Sequence, residues 1–141
     1  MKATACALLL LPVLQYFPQE EDKWKRLYTY EDSAVDIETS NIIFSSDFTG
    51  RVRFRITLSK PQTLGGGADV KYKSVIETME FKCPERRYRV VAVKRFDGKG
   101  NMVQSSEAEP PPEWKTAGLG SMMGKFMEAG CEAIYEKKRN P

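Results

Sequence analysis

Three cysteines and no histidine set the chemical limits of this chain. Without imidazole there is no Ser-His-Asp or Cys-His nucleophile system, no His-containing zinc site and no His-based acid–base step. Cys6, Cys83 and Cys131 include no CxxC pair. A redox or metal role for the thiols therefore has less support than a structural disulfide. The arginines have the most suggestive spacing. Arg51, Arg53 and Arg55 alternate with Val52, Phe54 and Ile56, and Arg87, Arg89 and Arg95 share the odd positions of a second run with Val91 and Val93. Residues two apart in an extended chain share a face. Both triplets are thus expected on the solvent side of a sheet. Side by side they would make a positive stripe suited to an anionic glycan, a lipid headgroup or an acidic protein patch. The plain alternative is an outer face balanced by Asp and Glu on neighbouring strands.

Other groups carry less. Asp32, Asp36 and Glu38 have the types for a metal site or an acid–base pair, but a polar strand edge explains them equally well. Met122, Met123 and Met127 stand at helical spacing beside Leu119 and Phe126, which marks core before it marks a soft metal site. Gly65, Gly66 and Gly67 are not followed by Gly-Lys-Ser/Thr, so they form a flexible loop and no phosphate cradle.

The elements that must position these residues are legible as a run of strands followed by one helix. Residues 24–30 are rich in aromatics and read as a first strand, with short pieces at 34–37 and 42–44. Residues 51–58 alternate strictly, the pattern of a half-buried antiparallel strand. Residues 61–68 are expected to be a loop. Residues 69–82 and 85–96 form a hairpin bent at Cys83 and Pro84, and 101–105 pairs back after the Asp97-Gly-Lys-Gly100 turn. The prolines at 110–112 make a connector that cannot be a central strand, with Trp114 packed under it. Residues 119–135 repeat apolar side chains every three and four positions. Leu119, Met122, Met123, Phe126, Met127, Gly130, Cys131, Ile134 and Tyr135 share that face, and Ser121 is the expected N-cap. Residues 136–141 read as a frayed charged tail.

Met1 and Lys2 precede a 12-residue, largely apolar run at positions 3–14. It is too short to span a membrane and suits an export signal. Residues 1–19 are thus expected to be a signal peptide and 20–141 one domain. Removing the leader removes Cys6 and leaves Cys83 and Cys131 for one disulfide in an oxidising compartment. The 141 residues suffice for one core. A net charge of +3 is too mild to imply nucleic acid.

In order and spacing, the residues resemble the surface-adhesin protein E family of Gram-negative bacteria. The features are Trp24 and the Tyr30-Glu-Asp-Ser33 strand end, then Cys83 leading into the basic, aromatic run Pro-Glu-Arg-Arg-Tyr-Arg. The Phe96-Asp-Gly-Lys-Gly-Asn turn follows, then Trp114 ahead of the helix-opening Ser121, and Cys131. Ala117 and Leu119 depart from the proline and aliphatic residue usual before that serine. The resemblance implies an antiparallel sheet of about six strands tied by a Cys83–Cys131 disulfide to one C-terminal helix, an α+β fold. It implies an exported, non-catalytic cell-envelope module without a cofactor, binding host matrix or plasma proteins. The alternative is a periplasmic or outer-membrane accessory protein that binds a bacterial partner or lipid.

Overall fold

The computed structural model describes residues 23–46, 48–67 and 69–141. The expected signal peptide and Cys6 lie outside these residues. Among the described residues, eight antiparallel strands and one helix follow in order: β1 (Trp24–Thr29), β2 (Ser33–Glu38), β3 (Ile43–Ser46), β4 (Thr49–Thr63), β5 (Lys71–Lys82), β6 (Arg87–Phe96), β7 (Met102–Glu107), β8 (Lys115–Thr116) and α1 (Met122–Arg139). The sheet order is β1-β2-β4-β5-β6-β7, with β3 paired to β4 and β8 to β6. The main path has the six strands expected, β3 matches the short piece read at 42–44, and β8 is the one addition among the described residues.

Strand β4 is the spine. Its alternation turns Val52, Phe54 and Ile56 to one face, where Val52 and Phe54 are fully buried. Register carries that face across the sheet, with Val35 opposite Ile56, Ile37 opposite Phe54 and Met79 opposite Val52. Helix α1 covers it with Phe126, Met127 and Ile134. The Phe54 ring stacks on Phe126 at 4.8 Å and meets Phe81 edge-on at 6.0 Å. Gly130 allows this approach, because a Cβ there would lie 2.5 Å from Phe81 Cε2.

The Cys83–Cys131 disulfide joins the end of the β5 hairpin arm to the helix, with Cα atoms 5.7 Å apart. That separation lies in the ordinary range for a bridge.

Three local expectations change. Strand β4 continues through Pro61 to Thr63. Its pairing with β5 is irregular between Thr57 and Gln62, and Pro61 falls in that gap, where its missing N–H interrupts no regular ladder. Leu119 precedes the helix and is 82% exposed, and Met122 and Tyr135 are also exposed, so the apolar stripe is narrower than its spacing suggests. The helix runs on to Arg139. Lys137, Lys138 and Arg139 in its last turn complement the negative end of the helix dipole. At the other end Ser121 caps as expected, its Oγ accepting from Gly124 N at 3.0 Å.

Candidate functional site

The face of the sheet away from α1 is built from the alternate positions of the same strands. Arg51, Arg53 and Arg55 of β4 point there. Asp36 stands opposite Arg55 in register and Glu80 opposite Arg51. Asp36, Glu38 and Glu80 are only 3%, 2% and 4% exposed. A carboxylate so far from water stays charged only if it is paired and hydrogen-bonded, and each of these is. Arg55 donates through Nη2 to Asp36 Oδ2 at 3.0 Å, while Arg26 Nε reaches Oδ1 of the same group at 2.5 Å. Arg53 forks onto both oxygens of Glu38 at 2.5 and 2.6 Å. Arg51 Nε and Arg89 Nε share Glu80, one on each oxygen, both at 2.7 Å. The planar guanidinium fork makes these pairings possible, and lysine could not reproduce them.

Burial pushes the Glu80 carboxyl up, but the hydrogen bonds and charges of Arg51 and Arg89 outweigh it. Glu80 ends below its ordinary value. Among the described residues, five guanidiniums (Arg26, Arg51, Arg53, Arg55, Arg89) face three carboxylates, two more positive charges than negative ones. Tryptophans brace both ends of this row. Arg55 lies 4.8 Å from the Trp24 ring, and Trp114 sits beneath Arg89 at 4.3 Å and Lys82 at 4.6 Å. Trp114 is thus clasped by cations of β5 and β6.

The six arginines expected to form one stripe are divided. Arg51, Arg53, Arg55 and Arg89 come together as described. Arg87 shares their face, but its nearest carboxylate, the exposed Glu85, is 3.9 Å away. Arg95 is on the other face. The β5–β6 register slips between Thr78, which pairs with Ala92, and Met79, which pairs with Val90. The extra residue, Val91, reverses the alternation beyond it. Arg95 therefore pairs with the buried Val75 on the helix side, lies 5.3 Å from the Tyr72 ring and donates to Gln104. Lys94 takes its place on the arginine face, opposite Ile76. Sequence reasoning missed Lys94 because no periodic pattern announces a bulge. It also passed over Arg26, whose two-residue spacing from Trp24 was the available signal. Asp36 and Glu38, weighed as metal or acid–base groups, are instead the counter-charges of the arginines.

Two hollows open on this face, with Arg53 between them. One, of about 280 Å³, is bounded by Ile43, Arg51, Lys94 and the 107–111 segment. The other, of about 410 Å³, lies beside Trp24, Arg55, Ser74 and Phe96. A third, of about 700 Å³, is on the helix side beside the disulfide, lined by Phe48, Tyr135 and Lys138. The buried carboxylates are held as ion-pair acceptors, and the guanidiniums that hold them remain partly exposed. Such an arrangement suits recognition by directional hydrogen bonds.

The sequence model of the family described as surface-adhesin protein E matches residues 24–132 of this chain. Among solved structures, Haemophilus influenzae protein E is similar at a TM-score of 0.57 and 13% identity, over 82% of this chain and 88% of that one. Its crystal form II is similar at 0.57 and 12%, over 79% and 88%. No curated protein matches the chain.

Proposed function

Because this chain belongs to the surface-adhesin protein E family, we propose that it is an exported, non-catalytic envelope module that binds a protein partner through the arginine face of its sheet. Residues 20–141 act as one unit after loss of the leader at 1–19. The supporting observation is the row of guanidiniums pinned by three nearly buried carboxylates, in which arginines outnumber carboxylates five to three among the described residues. The pinning fixes rotamers before a partner arrives, which lowers the entropy lost on binding. The excess charge steers acidic surfaces toward the face.

Replacing Arg51, Arg53 and Arg55 together is a poor test, since it would leave the buried Glu38 without its arginine and take one of two guanidiniums from each of Asp36 and Glu80, so lost binding could reflect lost stability. Arg26→Gln with Arg87→Gln removes two exposed charges and leaves every buried carboxylate an arginine. Binding to immobilised matrix proteins or envelope extracts is expected to weaken with salt and to fall about tenfold in this double variant. Heparin and anionic vesicles serve as the competing arms. Partner binding that ignores both salt and the double change would remove this face as the site. Protease shaving of intact cells separates a surface role from a periplasmic accessory role.

A further inference from the structure

The hollow at Lys94 differs in chemistry from the rest of the arginine face. Lys94 is exposed and, among the described residues, has neither an ion pair nor an aromatic partner. Arg51 and Arg53, by contrast, are already committed to Glu80 and Glu38. Across the hollow stand Glu107 and Glu109, also exposed and, among the described residues, without ion pairs. Ala92 pairs with Glu107 and Lys94 with Ser105, so the two charges are diagonal neighbours on one face. The apolar part of the lining is Val91, the extra residue of the bulge, Pro111, and Ile43, which is 54% exposed on the short strand β3.

We propose that this hollow is a peptide subsite, taking a protein segment that sets one apolar side chain between a carboxylate and a basic group. Lys94 meets the carboxylate, Glu107 and Glu109 meet the base, and Val91, Ile43 and Pro111 take the apolar side chain. The proposal rests on the reading of this face as a binding surface and narrows its partner. A sulfated glycan or an anionic bilayer repeats one sign of charge. Glu107 and Glu109 at the rim would repel it, and the carboxylates behind Arg51 and Arg53 cancel much of the attraction. An apolar centre ringed by opposite charges is instead the anatomy of a protein interface.

The test uses the purified, isotope-labelled protein and capped hexapeptides with acid–apolar–base cores in both orders. All-acidic hexapeptides, a heparin hexasaccharide and phosphatidylglycerol vesicles are the comparators. The mixed-charge peptides are expected to shift the backbone amides of 91–94 and 106–108. Lys94→Glu or Glu107→Lys, both at exposed positions, is expected to weaken binding about tenfold. Silence of these amides toward every mixed-charge peptide, shifts that survive both changes, or a stronger response to heparin or vesicles would each overturn the subsite. If the hollow is silent while protein binding sensitive to Arg26→Gln and Arg87→Gln persists, the subsite fails and the binding face stands. Loss of both sinks both.

Discussion

Glu80 and Glu77 sit three residues apart on β5, on opposite faces, and have opposite electrostatic histories. Glu80 is held by two guanidiniums and lies below its ordinary value. Glu77 lies on the helix side, opposite Phe54 on one neighbour and Val93 on the other. Burial raises it, and the charge of Arg95 only partly offsets this. The two contribute to stability in opposite senses. Glu80's share is present above the ordinary value of 4.5 and is lost as pH falls through its depressed folded value. Glu77's share is present below 4.5 and is lost as pH rises through its elevated folded value. Glu77→Gln is therefore expected to raise the urea midpoint at about pH 7 and to leave it unchanged at about pH 4. Glu80→Gln is expected to cost about 2 kcal/mol at neutral pH and to flatten the loss of stability on acidification. The cost is less than a fully buried pair would show because both guanidiniums reach water. None of this was legible residue by residue. The alternation of Arg51, Arg53 and Arg55 announced a face, but their partners come from β2 and β5, and only pairing register brings those together.

At the scale of elements, periodicity served well where one face is dry. The β4 alternation and the α1 stripe placed Phe54, Phe126, Met127 and Ile134 in the core before any coordinates. Periodicity failed at ends and irregularities, namely Leu119 outside the helix, the extension of β4 past Pro61, and the bulge at Val91. Each of these is settled by contacts between distant segments, which local pattern does not encode. Gly130 tests the helix–sheet contact directly. Gly130→Ala raises helix propensity by about 1 kcal/mol. Its Cβ would nevertheless collide with the Phe81 ring, which is wedged against Phe54 and has little room to yield. The net expectation is a loss of about 1 to 3 kcal/mol in chemical denaturation. A stabilised Gly130→Ala variant would show that the helix rides higher on the sheet than described.

Taken together, the described residues place one helix over one face of a broad sheet, and one disulfide fixes it there. The disulfide closes a loop spanning 48 positions. In the chain-entropy model, losing it costs about 4 kcal/mol, a large share of the net stability of a domain this size. Replacing Cys83 and Cys131 with alanine is expected to lower the thermal midpoint sharply and to make α1 the first element to lose amide protection in hydrogen exchange. A variant in which helix and sheet still unfold together, with an unchanged midpoint, would reduce the bridge to a bystander. The pairing was readable from cysteine arithmetic once Cys6 was assigned to the leader, and the family pattern agreed.

The bulge at Val91 acts as a frameshift in space. Every residue of β6 beyond it changes sides, so an insertion or deletion at that point exchanges the roles of Lys94 and Arg95 without altering either. Relatives in this family that lack the extra residue would present a different set of cations to their partners from nearly the same string of letters. Function should therefore be carried between family members by the side of the sheet on which a residue stands, and not by its column in an alignment.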